Sequence, residues 1–460
     1  MIGRRTFLSR LAGTGALAAT PFPALRPRRA AAAEPLLLWT SEHETSRLHV
    51  MDYLARAYSS WAGAPAPRIE SIPEERFVGA VGAARQAGRL PDLVNTGGDL
   101  LLALDDADHL DRETAAAVIA ETGDFFEGAV LALTAPSGGP VAIPFHGWPQ
   151  ILWYREDLFT DNRLPPPGSV RSLLAAAEAL HDPASGRIGV VCGTDDSLYT
   201  QQVFTHLARA EGAELLAADG TPTLDRPAVR QALASYAAMA AHGPPGAVNW
   251  RARDWYIQGR AAMMFYSTFI MDDLAIPGVA HDSLLGGRFP GLDGAPFDED
   301  LVRKTRPVAA LAPGEAPARA TFSMINGLAA FRHRDAARRA AAVDFLRFLF
   351  RPDSYVVWLH MAPGGMLPVR RNVAETDAFL RDPIGVFRRF GRGQIRQLAD
   401  SLVTPGSFSH WHGVTVPNAA TVYADGLVGR MVARVVSGAM GPAESASAAQ
   451  AEAETLLRRR

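Results

Sequence analysis

Cysteine is almost missing from this chain. The single Cys192 excludes an intramolecular disulfide, whatever the redox compartment. Long apolar runs are missing too. The stretch from Leu11 to Leu25 is short and is interrupted by Pro21 and Pro23, so it does not suit a bilayer span, and no second candidate follows. No G-x-G-x-x-G and no phosphate-cradling glycine loop is present, which leaves nucleotide chemistry without a motif. The G-x-S-x-G elbow of many serine hydrolases and the H-E-x-x-H of zinc proteases are also lacking. Glu42-His43-Glu44 and His410-Trp411-His412 have residue types that bind metals. Single pairs at such spacing are common by chance, and no cysteine or histidine cluster supports them, so no metal is expected. Nor is there a haem or iron–sulfur motif, and no cofactor is expected.

The first 33 residues differ from the rest. They carry six arginines and no acid. Arg4-Arg5-Thr6-Phe7-Leu8 resembles the twin-arginine export motif, and Ala31-Ala32-Ala33 is a small-residue cleavage site. Cleavage there takes the net charge from −2 to −8. An acidic protein lacks the basic surface that nucleic acid needs. No cysteine lies near the cleavage site to carry a lipid. These features predict an exported, periplasmic, soluble and monomeric protein, with the twin-arginine translocase as a partner during export.

About 427 residues remain, more than one hydrophobic core normally serves. Strand-like and helix-like segments alternate, which predicts parallel α/β layers. Leu36–Trp39 reads as a first buried strand, followed by a helix from about Ser46 to Trp61. The stretch Asp254–Thr268, DWYIQGRAAMMFYST, is the most informative. An apolar helix end stops at Gly259, a buried strand runs to Phe265, and Tyr266-Ser267-Thr268 supply hydroxyls at its tip. Ligands of open α/β sheets sit beyond such carboxyl ends. Phe322–Phe331 reads as a strand broken at Asn326-Gly327, Asp335–Phe350 as a helix, and about Ala419–Ser437 and Pro442–Leu457 as two closing helices.

This set of segments resembles the extracellular solute-binding proteins of ABC importers, in particular the maltose-binding-protein-like carbohydrate binders. The G-x-x-A-M run at Gly259–Met263, the G-x-x-P-D run at Gly88–Asp92 and the turn at Gly365–Arg370 fall in that family's order. The resemblance implies an α/β fold of two lobes, each a mostly parallel sheet flanked by helices, joined by a hinge. It implies a signal peptide over 1–33, a first lobe from 34–144 and 289–331, and a second lobe from 145–288 and 332–460, the last including the closing helices. Crossings are expected near Phe145, near Phe289 and after Phe331. Where the maltose-binding group has a tryptophan after the G-x-x-A-M strand, this chain has Phe269.

A sugar presents an apolar ring face and a rim of hydroxyls. Its site needs flat aromatics and polar side chains together. The candidate aromatics at strand tips are Trp148, Tyr199, Tyr266, Phe269 and Trp411; the polar candidates are Glu42, His43, Asp99, His146, Gln202 and Asn326, with Arg371 beside them but expected to be solvated or paired to acids. The resemblance points most directly to Glu42, His43, Asp99, Tyr199, Phe269 and Trp411. Plainer roles stand beside these. Asp99 suits a helix N-cap, Phe269 suits a core, and Trp411 suits packing under the last helices.

The implied function is capture of a carbohydrate and its delivery to ABC permease subunits, with no catalysis. A periplasmic glycosidase is the alternative, as is a binder of a metal chelate or an organophosphate on the same fold, because fold does not fix ligand. If Arg4-Arg5 directs export, replacing both with lysine should leave the uncleaved precursor in the cytoplasm. Fractionation of cells showing undiminished periplasmic protein from that variant contradicts the assignment.

Overall fold

The computed structural model describes residues 34–459, apart from 278, 281–297, 299, 309, 313–321 and 334. Arg4, Arg5, the cleavage site and the crossing expected near Phe289 lie outside the described residues.

Among the described residues the main sheet has β1 (Leu37–Thr40), β2 (Arg68–Ser71), β3 (Leu93–Gly97), β4 (Ile143–Arg155), β5 (Ile188–Val191), β6 (Ala261–Ser267), β7 (Thr305–Val308), β8 (Phe322–Ala330) and β9 (Leu367–Pro368). The three strands read above form as β1, β6 and β8. One sheet runs β2-β1-β3-β8-β4-β6-β5, with β7 and β9 pairing on β4. Its outer pairs are parallel: β1 with β2 and β3, and β5 with β6. The central pairings, β3 with β8, β8 with β4 and β4 with β6, are antiparallel. β4 and β8 are the long strands that pass between the two halves. A separate hairpin pairs β10 (His410–Trp411) with β11 (Val414–Thr415).

Helices cover each half. Thr45–Ala62, Gly98–Asp106 and Arg112–Thr122 lie with the β1–β3 half. Val170–Leu180, Leu198–Ala210, Pro227–Ala240 and Ala252–Ile257 lie with β5 and β6. No helix among the described residues is long and apolar enough to cross a membrane. The Asp254–Thr268 stretch folds as its sequence dictates. Helix Ala252–Ile257 stops at Gly259, whose φ is +69°, and β6 follows with Ala261–Tyr266 buried.

Three expectations need correction. β8 is not broken at Asn326-Gly327. Gly327 is there for closeness: a Cβ on it would lie 2.8 Å from Leu133 and 2.9 Å from Leu101. The helix Ala336–Leu349, placed in the second lobe by sequence, packs on the first, and the chain does not cross after Phe331. Aromatic contacts decide it. Phe345 and Phe348 lie 5.0 and 5.6 Å from the Tyr58 ring on the Thr45–Ala62 helix. The following helix, Pro352–Leu359, packs there too.

Finally, the closing helix expected from Ala419 to Ser437 is two helices, Ala419–Asp425 and Leu427–Val436. Gly426 divides them in the left-handed region, at φ 73°. The first piece packs on Gly98–Asp106 and the second on Leu198–Ala210, so the break falls where the chain changes halves. A side chain at such a φ costs about 1–2 kcal/mol. Gly426→Ala should therefore lower unfolding stability by about that amount in chemical denaturation. An unchanged midpoint contradicts this reading of the joint.

Candidate ligand-binding site

A cavity of about 400 Å³ opens where the carboxyl ends of β1, β2 and β6 face the middle of β4 and β8. Each wall comes from a different part of the chain. The turn after β1 supplies Ser41–Glu44, and the first helical turn beyond it supplies Arg47. The segment after β2 supplies Pro73, Glu74 and Glu75. β4 supplies Trp148 and Gln150, β8 supplies Asn326, and the end of β6 supplies Tyr266, Ser267 and, just beyond, Phe269. Tyr199 and Gln202 come from the start of the Leu198–Ala210 helix; Trp250 and Arg253 precede and begin the helix before β6.

Eight sequence-predicted residues meet here: Glu42, His43, Trp148, Tyr199, Gln202, Tyr266, Phe269 and Asn326. Their neighbours fix many of them. Trp148 donates its indole N–H to Asn326 Oδ1 at 3.2 Å, and its ring meets Phe269 edge-on at 6.3 Å. Tyr199 gives its hydroxyl proton to the Phe265 carbonyl at 2.6 Å, so its ring faces Tyr266 at 5.9 Å with the polar end already satisfied. Gln202 donates to the Tyr423 hydroxyl at 2.8 Å. His43 is exposed and lies 5.3 Å from the Trp250 ring.

Residues that sequence reading did not single out complete the site. Arg47 pairs with Glu42 at 2.9 Å and covers the Phe269 ring at 4.6 Å. Arg253 reaches Glu44 at 3.4 Å and Asp273 at 3.5 Å, and lies 5.3 Å from the Trp250 ring centre. Burial opposes the Arg253 charge, but Asp273, Glu44 and Asp254 outweigh it and hold the guanidinium above its usual value. Gln150 is 1 % exposed and its Oε1 has no hydrogen-bond partner. Burial, with Glu75, Glu42 and Asp99 near, pushes the Glu74 carboxyl up to about 7. Of these only Gln150 carries a sequence signal that could have found it, as an amide inside a largely apolar strand. The arginines sit on helical turns whose facing depends on the assembled fold.

Three predicted residues do not line the cavity. Asp99 is fully buried in the first turn of the Gly98–Asp106 helix, and its N-cap is Gly97. Its carboxylate accepts from the Ser407 hydroxyl at 2.7 Å and from the Ser409 and Phe408 amides at 2.9 and 3.2 Å, so it anchors the 407–409 segment. His146 is fully buried on β4, between Asn326 and Pro368 of the neighbouring strands. Burial pushes its imidazole down to about 4. Trp411 lies in β10 under Arg209, whose guanidinium is 4.1 Å from its ring centre. Arg209 also donates to the Ser407 carbonyl at 2.7 Å, which joins this hairpin to the Leu198–Ala210 helix.

Trp411 is thus half-buried outside the cavity lining, and we propose a packing role for it against Arg209 in place of the ligand stacking expected from the sequence. Trp411→Ala should lower the melting temperature, at a cost of about 1–3 kcal/mol, below the roughly 3–5 of a fully buried tryptophan. Affinity of the folded fraction for ligand should stay unchanged. A variant with native melting and weakened binding returns Trp411 to the site.

Residues 68–387 match the family described as bacterial extracellular solute-binding protein. A curated relative, the putative ABC transporter periplasmic-binding protein YcjN of Escherichia coli strain K12, is 27 % identical over 318 residues, 68 % of each chain. An ABC transporter solute-binding protein of Agrobacterium radiobacter K84, solved with ribitol, superposes with a TM-score of 0.73 at 20 % identity, over 93 % of this chain and 100 % of the other. The maltose-bound MalE3 of T. maritima gives 0.69 at 17 % identity, over 92 % and 100 %. A solute-binding protein of Agrobacterium vitis S4 with D-mannitol gives 0.67 at 15 %, over 92 % and 98 %. The neighbours share the two-lobe α/β fold. The matched family binds solutes and is not one of enzymes, which removes the glycosidase alternative. With its family match extending over most of the chain, this protein belongs to the bacterial extracellular solute-binding proteins.

Proposed function

We propose that this chain captures a sugar or polyol in the cavity between its lobes and hands it to the permease of an ABC importer. One observation carries the reading. A single cavity joins flat aromatic walls, Trp148, Phe269 and Trp250, to short polar groups, Gln150, Asn326 and Ser267. Aromatic faces match the apolar face of a sugar ring, and amides and hydroxyls match its rim. The relatives solved with ribitol, maltose and D-mannitol support the class. So does the position at strand carboxyl ends. On this reading the protein works as a soluble periplasmic monomer, exported through the twin-arginine route without a lipid anchor.

An organophosphate or metal chelate fits less well. Both arginines of the cavity, Arg47 and Arg253, are already paired to carboxylates.

A ligand that binds only the folded state raises apparent stability. A thermal-shift screen of monosaccharides, disaccharides and alditols should return members that raise the melting temperature. Trp148→Ala should weaken their binding by about tenfold, the scale of one aromatic stacking contact of about 1.4 kcal/mol. A screen in which only phosphorylated or metal-bearing compounds bind contradicts the proposal.

A further inference from the structure

We propose, resting on the sugar-or-polyol reading, that this cavity selects uncharged and ammonium-bearing sugars and alditols over their carboxylate counterparts. The cavity is lined by four glutamates and two arginines. Each arginine is committed to the protein. Arg47 is held by Glu42, and Arg253 by Glu44 and Asp273. Glu74 and Glu75 have no ion-pair partner among the described residues. They sit together on the short 3₁₀ turn Glu74–Arg76, after Pro73, and both line the cavity. Among the described residues the charged groups that act on Glu74 are acidic, Glu75, Glu42 and Asp99; with burial they push its carboxyl up to about 7, so Glu75 carries the charge at neutral pH and Glu74 adds its own fully only above it.

A second observation points the same way without relying on charge. Gln150 lines the cavity, is 1 % exposed and has a carboxamide oxygen without a hydrogen-bond partner among the described residues. A buried acceptor without a donor is costly, so it calls for a ligand O–H or N–H. It offers nothing to a carboxylate, which brings only acceptors at that group. A depression beside the cavity has the same bias. Its volume is about 410 Å³, and it shares Glu75 and Trp250 with the cavity and adds Asp195, Asp196 and Asp425. Its one arginine, Arg430, is paired with Asp425. Of these groups Glu75, Asp195 and Asp196 have no ion-pair partner among the described residues, and Asp195 is met only by the Ser197 and Thr200 side chains and the Ser197 amide. Discrimination of this kind comes from a repulsive element as much as from an attractive one.

The test is calorimetric titration of the mature chain with matched triads. One is D-glucose, D-glucosamine and D-glucuronate. Another is D-mannitol, 1-amino-1-deoxy-D-mannitol and D-mannonate; a third is ribitol, its 1-amino derivative and ribonate. In any triad that binds, the acid should be weaker than its neutral parent by about tenfold or more, and the amine at least equal to the parent. The double variant Glu74→Gln, Glu75→Gln should narrow that gap and weaken the amine. The single Glu74→Gln serves if the double variant loses its native circular dichroism. An acid binding within about threefold of its parent overturns this inference and leaves the sugar reading intact. An unchanged gap in the variants also overturns it, because the selectivity then has another origin. If no member of any triad binds, the polyol reading falls and takes this inference with it.

Discussion

β4 and β8 are hydrogen-bonded side by side from Ile143 to Gln150, and the rest of the molecule is placed relative to that pairing. β8 continues into β3 on one side, and β4 into β6 on the other. The two halves therefore share strands and are not merely in contact. A strand pair that runs between two lobes cannot be covered by helices along its whole length, because the helices belong to one lobe or the other. The uncovered middle is where Trp148, Gln150 and Asn326 stand. The Trp148–Asn326 hydrogen bond ties the two strands at that point. The cavity is a consequence of the crossing, and its polar floor follows from the need to place amides where helices cannot reach.

Charge in the cavity is organised by the same economy. Buried guanidinium groups are tolerated only when paired. Arg47 and Arg253 meet carboxylates from the turn after β1, Glu42 and Glu44. Those pairs link the first lobe internally and, through Arg253, link it to the helix before β6 in the second. Asp99 and Arg209 play a matching part farther out. Both grip the 407–409 segment, one from each half. The lobes are thus held by a shared sheet, one ion pair over the cavity and one polar strap behind it.

Much of the fold is legible in the sequence where local rules decide. Gly259 ends a helix and β6 begins, because a glycine free to take positive φ stands before an unbroken apolar run. Eight of the eleven residues chosen for the site line the cavity: Glu42, His43, Tyr266 and Phe269 at or just beyond strand ends, Trp148 and Asn326 in mid-strand, and Tyr199 and Gln202 at the start of a helix. Of the three that do not, Asp99 and Trp411 turn their side chains toward partners far away in sequence, Ser407 and Arg209. His146 stands on β4 with its ring fully buried and off the cavity lining, which depends on how the helices cover that strand. The same holds for the Ala336–Leu349 helix. Its apolar face is plain in the sequence, but only the rings of Tyr58 and Trp61 show which lobe receives it. Arg47 and Arg253 carry no periodic signal at all, since a charged residue in a first helical turn is ordinarily solvated.

A shared sheet with a solute cavity at its crossing is a hinge, and a hinge closes only if the solute binds the closed arrangement better than the open one. Small-angle X-ray scattering of the mature chain, with and without a saturating sugar or alditol that binds, tests this most directly. The account predicts a smaller radius of gyration with the sugar bound. A scattering profile unchanged at saturation contradicts capture between two closing lobes.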